Sequence, residues 1–140
     1  MEELDLSKTR LKQLSLPASL QSLRKLNLSE TDISQIDGLE NISALEELDL
    51  NGVDQLSTLP LRAPLRNLRK LNLAQSGISQ IDGLENTPAL EELDLNNIGN
   101  LEAFSLLWSL PNLRTLNLSG AFVSKIDGLE NAPVLEKLYL

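Results

Sequence analysis

The triplet Leu-x-Leu returns seven times at a near-constant interval, and that regularity limits the fold more than any other property of the chain. It stands at Leu4–Leu6, Leu26–Leu28, Leu48–Leu50, Leu71–Leu73, Leu93–Leu95, Leu116–Leu118 and Leu138–Leu140, in steps of 22, 22, 23, 22, 23 and 22 residues. Three residues before each triplet comes another apolar residue: Met1, Leu23, Leu45, Leu68, Leu90, Leu113 and Leu135. Side chains alternate along a strand, so both leucines of a triplet face one side and the middle residue faces the other. A strand this short cannot bury its leucines alone. Stacking successive turns at the ~4.8 Å spacing of a ladder supplies a parallel sheet and one continuous core. Thirty-five residues are leucine and only four are aromatic, which fits one packing niche used over and over. Further apolar residues between triplets, such as Ile33, Ile36 and Leu39, are placed to fill the same core from the return side.

A longer period overlays the first. Residues 26–50 (LNLSETDISQIDGLENISALEELDL) and 71–95 (LNLAQSGISQIDGLENTPALEELDL) share ISQIDGLEN unchanged, and 124–131 reads SKIDGLEN. The larger unit is 45 residues, a 22-residue turn followed by one of 23. Asp37, Asp82 and Asp127 each stand three residues before a glutamate. That spacing resembles a capping box and predicts a short helical turn starting at each aspartate.

The unit Leu-x-x-Leu-x-Leu at this interval resembles the leucine-rich repeat family, and the resemblance covers the whole chain. The fuller phrase, I-x-x-I-D-G-L-E-N-x-x-x-L-x-x-L-x-L, is similar to the short 22-residue class found in the phosphatase-1 regulatory subunit and in bacterial internalins. The resemblance implies an α/β leucine-rich repeat solenoid, a horseshoe with a seven-stranded parallel concave sheet and short helical or irregular convex returns. Residues 1–140 would form a single such domain. In those families the concave sheet grips protein partners, so a protein–protein interaction module is the function implied. The chain departs from the family where an asparagine usually follows the triplet by three residues. Here the positions hold Thr9, Thr31, Val53, Ser76, Ile98 and Ala121. A hydroxyl can take over part of that bonding, whereas Val53, Ile98 and Ala121 cannot, and the extra residue of the Val53 and Ile98 turns is read as compensation.

Three columns line the outward face of the strands. Just before the triplets run Glu2, Arg24, Glu46, Arg69, Glu91, Arg114 and Glu136. The next column is Glu3, Lys25, Glu47, Lys70, Glu92, Thr115 and Lys137, and the third is Asp5, Asn27, Asp49, Asn72, Asp94, Asn117 and Tyr139. Stacked one strand apart, most charges in the first two columns meet their opposites, and a slip by one repeat would align like charges. The columns therefore read first as a register device and second as a contact surface. The residues selected as partner-binding are Asp49, Asn72, Asp94, Asn117 and Tyr139, with Phe122 beside them near the same end. Two outward aromatics suggest an interface, or packing against a further repeat. Trp108 and Phe104, within AFSLLWSLP, read as core filler on the return side.

Several function classes fall away. Histidine and cysteine are absent, which removes histidine acid–base catalysis, thiol nucleophiles and disulfides. The seven glycines are isolated turn residues and build no phosphate-binding loop. Asp5, Asp49 and Asp94 lie two strands apart, roughly 10 Å, too far to share one ion, so no metal or other cofactor is expected. The net charge of −8 argues against nucleic acid or an anionic membrane as partner. No apolar run approaches the ~18 residues that span a bilayer. The chain opens on Met1-Glu2-Glu3 straight into patterned sequence, and with no cysteine a reducing, cytoplasmic setting is the expectation. Neither end carries a polar cap, so the sequence reads as an uncapped segment of a longer array or an engineered piece. Self-association through the open ends is expected on that reading. The alternative to a binding module is a structural or engineered solenoid scaffold without a natural ligand.

Overall fold

A computed structural model describes residues 1–62, 64–99, 101 and 103–140. Among the described residues thirteen three-residue strands follow one another in the order β1 (Glu3–Asp5), β2 (Gln13–Ser15), β3 (Lys25–Asn27), β4 (Gln35–Asp37), β5 (Glu47–Asp49), β6 (Thr58–Pro60), β7 (Lys70–Asn72), β8 (Gln80–Asp82), β9 (Glu92–Asp94), β10 (Ala103–Ser105), β11 (Thr115–Asn117), β12 (Lys125–Asp127) and β13 (Lys137–Tyr139). The seven odd-numbered strands sit on the Leu-x-Leu triplets and form one parallel sheet in sequence order. Leu4 pairs with Leu26, Leu26 with Leu48, Leu48 with Leu71, and so on to Leu138. The expected seven-stranded parallel solenoid is what the chain forms.

Triplet leucines such as Leu26, Leu28, Leu71 and Leu73 are buried, together with the preceding Leu23, Leu45, Leu68, Leu90 and Leu113. Ile33, Ile36 and Leu39 close the core from the return side as the spacing implies, and Phe104 is buried with them. Trp108 is half-buried and packs against this core. Each coil leaves the sheet through one residue with positive φ: Lys8, Glu30, Gly52, Gln75, Asn97 and Gly120. The turn geometry divides as the side chains do. Thr9, Thr31 and Ser76 hydroxyls donate to the carbonyls of Leu6, Leu28 and Leu73. At Val53, Ile98 and Ala121 the backbone N–H donates to the carbonyl three residues back instead, at 3.2, 3.3 and 3.0 Å.

The returns carry more order than helical or irregular connections. Short 3-10 turns occur at Ala18–Leu20, Leu39–Asn41, Leu84–Asn86 and Leu129–Asn131. The even-numbered strands form three further parallel pairs, β2 with β4, β6 with β8 and β10 with β12. The capping-box expectation is overturned. Asp37, Asp82 and Asp127 end strands β4, β8 and β12, and the 3-10 turns start after Gly38, Gly83 and Gly128, with no side-chain cap. The reason is the close approach of the preceding coil. A Cβ on Gly38, Gly83 or Gly128 would lie 2.2, 2.4 or 2.3 Å from the carbonyl oxygen of Leu16, Leu61 or Leu106. With φ between 81° and 87°, these glycines turn the chain where an aspartate N-cap cannot.

The asparagine of each Asp-Gly-Leu-Glu-Asn phrase completes the contact. Asn41 Nδ2 donates to Leu16 O at 2.7 Å, Asn86 to Leu61 O at 2.7 Å and Asn131 to Leu106 O at 2.6 Å. Coil 1 (β1, β2) is thereby clamped to coil 2 (β3, β4), coil 3 (β5, β6) to coil 4 (β7, β8), and coil 5 (β9, β10) to coil 6 (β11, β12). The 45-residue period of the sequence is the period of these clamps.

Candidate functional site: the seven-stranded face

Register places the third column in a single straight row. Asp5 faces Asn27, Asn27 faces Asp49, Asp49 faces Asn72, Asn72 faces Asp94, Asp94 faces Asn117 and Asn117 faces Tyr139. In every member except the terminal tyrosine, the side-chain Oδ1 accepts the backbone N–H two residues on. These partners are Ser7, Ser29, Asn51, Ala74, Asn96 and Ser119, at 2.9 to 3.0 Å. A short planar acceptor at this point ends the strand and begins the turn. That explains why only aspartate and asparagine occupy the position in the first six coils. Aspartate and asparagine serve the turn equally, because each contributes the same Oδ1.

The two charged columns behave differently from each other. Arg24 makes a two-pronged contact with Glu46, Nε to Oε1 at 2.9 Å and Nη2 to Oε2 at 3.0 Å. Arg69 does the same to Glu91 at 3.0 and 3.1 Å, and Arg114 Nη1 pairs with Glu136. Each arginine thus reaches forward to the next coil. The hydrogen bond to Glu46 raises the Arg24 guanidinium further above its already high range. The hydrogen bond from Arg69 holds the Glu91 carboxyl below the usual carboxylate range. Lys25 lies between Glu3 at 3.5 Å and Glu47 at 3.9 Å, and Lys70 lies 3.9 Å from Glu92. Asp5 is held low by hydrogen bonds from the Ser7 side chain and backbone.

Five of the six residues selected from the sequence come together. Asp49, Asn72, Asp94, Asn117 and Tyr139 line one open groove of about 280 Å³, with Lys70, Glu92 and Thr115 beside them. Tyr139 is 48% exposed there. Phe122 is not among the lining residues. It is 76% exposed in the turn that follows β11, off the sheet face. The sequence reading missed Leu48, Leu71 and Leu93 as lining, and did not select Glu47, Lys70, Glu92 or Thr115 from the second column, which it read only secondarily as a contact surface. Their place on the same strands was the signal available. Among the described residues no three His, Cys, Asp or Glu side chains are grouped so as to hold a metal ion, and no helix is long and apolar enough to cross a membrane.

Residues 20–121 match the family described as the endo-beta-N-acetylglucosaminidase EndoS LRR domain. Among curated proteins none matches the sequence. Thirteen solved chains match in structure. One of them, an LRR protein of Leptospira interrogans, is 20% identical with a TM-score of 0.64 over all of this chain and 43% of its own length. This chain therefore spans less than half the length of that protein, and the likeness concerns the fold.

Proposed function

Because the chain belongs to the EndoS leucine-rich repeat domain family, we propose that it is a non-catalytic module that binds a protein partner along the concave, seven-stranded face. The observation that carries this reading is the groove itself. Its lining comes from five successive strands, β5 to β13 of the main sheet, and combines planar polar side chains with one half-exposed tyrosine. Tyrosine, with an apolar ring and a polar tip, is enriched at protein interfaces. The resemblance of the 22-residue turns to the phosphatase-1 regulatory subunit and the internalins supports the same use of the sheet. The family description names the LRR domain of a glycosidase, and the module is read as the binding part of whatever assembly contains it.

The test is to block the face without disturbing the fold. Thr115 stands in a column that otherwise holds glutamate and lysine, so Thr115→Arg places a long side chain where neighbouring coils already carry one. Glu85→Arg, on the return side, is the matched control. A photo-crosslinker placed at Lys70 should capture the partner in the unaltered protein and lose it in Thr115→Arg but not in Glu85→Arg. Equal capture in both variants rules the face out.

A further inference from the structure

The third column contains charge that its turns do not require. Its structural duty is to offer Oδ1 to the turn, and Asn27, Asn72 and Asn117 perform that duty without charge. Carboxylates nevertheless stand at Asp5, Asp49 and Asp94, on β1, β5 and β9. The first two columns nearly cancel within themselves. The third has three acids and no base. The column arginines, Lys25 and Lys70 are already held by glutamates, and among the described residues no base forms an ion pair with an acid of the third column. On β13, the next alternate strand, the same register position holds Tyr139. Three carboxylates and an aromatic face are two kinds of group that attract a cation. They recur on every second strand of one row.

We propose, building on the concave-face reading above, that this row binds a polyproline-II segment of a protein partner carrying basic side chains at every third residue. Two strand spacings amount to about 9.6 Å. A polyproline-II helix has three residues per turn and rises ~3.1 Å per residue, so residues three apart lie on one face about 9.3 Å apart. Arginines at successive third positions meet Asp5, Asp49, Asp94 and the ring of Tyr139 in turn. An extended β-strand does not fit, since residues three apart in it point to opposite sides. The intervening positions suit the same occupant. Asn72 and Asn117 use Oδ1 in their turns, which leaves each Nδ2 to donate to a carbonyl. The carbonyls of polyproline II have no internal partner.

Because asparagine preserves the turn contact, Asp49→Asn with Asp94→Asn removes charge while keeping the fold. The measurement is fluorescence anisotropy with two labelled peptides of identical composition, (Arg-Pro-Pro)4 and an isomer with its four arginines contiguous. The periodic peptide should bind about tenfold more tightly than the isomer at physiological salt. The double asparagine variant should erase that preference, and Tyr139→Ala should weaken the periodic peptide about threefold or more. Equal binding of the two peptides, binding of neither, or a preference that survives in the double variant each overturns the proposal. The crosslinking experiment above judges the concave face separately. If Thr115→Arg abolishes partner capture while the peptides bind alike, the face stands and the spacing rule falls.

Discussion

Where coil 3 meets coil 4, the chain is bonded on both sides; where coil 4 meets coil 5, it is bonded mainly on one. At the first junction the sheet strands β5 and β7 pair, and so do the return strands β6 and β8. Gly83 and Asn86 converge there on the Leu61 carbonyl. At the second junction β7 and β9 pair, but among the described residues β8 and β10 do not. Asn112 Nδ2 reaches Pro88 O at 2.9 Å across that return side, as Asn67 reaches Ser43 O at 3.1 Å at the equivalent junction of coils 2 and 3. The two-pronged arginine contacts fall at these same junctions, Arg24 to Glu46 and Arg69 to Glu91. A solenoid whose coils look alike in projection therefore alternates between backbone-clamped and side-chain-stapled interfaces. Backbone ladders are insensitive to salt and pH. Exposed ion pairs are sensitive to both.

The largest effect is expected at the clamp. Gly83→Ala puts a methyl 2.4 Å from Leu61 O at a φ of +87°, which should cost roughly 2–4 kcal/mol. An unchanged urea midpoint would mean that coils 3 and 4 can separate freely and that the clamp is not one. Asn86→Ala leaves the Leu61 carbonyl without its half-buried donor and should cost about 1–2 kcal/mol. The counterpart at an open junction, Asn67→Ala, removes an exposed bond and should cost about 0.5 kcal/mol or less. Equal losses would erase the distinction between the two junctions.

The stapled side is probed by charge. Arg69→Glu sets a carboxylate against Glu91 and near Glu46 and Glu47, so the thermal midpoint should fall at low salt and recover in high salt. A deficit that persists in salt would point to lost packing, not repulsion. The pH dependence has a definite sign. Glu91 is held below its ordinary range in the folded chain, so its contribution is complete above the unfolded value near 4.3 and is lost as pH falls through the folded value. Arg69→Ala should flatten that part of the acid titration, read by circular dichroism. An effect of the opposite sign is expected in the backbone of the coil 4–coil 5 junction, where the Gln75 N–H donates to Asn96 O at 2.8 Å. Gln75 has a φ of 54°, and Gln75→Gly should stabilise by about 0.5–1 kcal/mol after the added freedom of the unfolded chain is offset. A destabilisation would show that the glutamine side chain makes a contact worth more than the strain.

Most of the sheet was legible because its signal is period two within a fixed longer period, and nothing in the structure competes with it. The charge columns and the row from Asp49 to Tyr139 followed directly from register. The return strands were not read: Leu14–Leu16, Leu59–Leu61 and Phe104–Leu106 alternate in the same way, but a three-residue alternation is too short to stand out without its partner coil. The Asp-Gly-Leu-Glu-Asn phrase misled for a specific reason. Local spacing favours an aspartate cap, whereas the distance from Gly83 to Leu61 O, a contact between residues of different coils, decides the turn. Phe122 illustrates the same limit. Its outward direction was readable, but which side of the turn it leaves from was not.

The clamp also makes the number of coils matter by parity. Removing 45 residues, one even step, joins an arginine-bearing coil to a glutamate-bearing one and leaves every Gly–Asn phrase beside the carbonyl it was shaped for. Removing a single coil, for instance residues 48–70, sets Glu46 beside Glu91 and strands Gly83 and Asn86 opposite a coil that lacks the Leu61 carbonyl. Lengthening or shortening such a chain is therefore tolerated in doublets and penalised in singles, so the heritable and engineerable brick of this solenoid is the pair of coils.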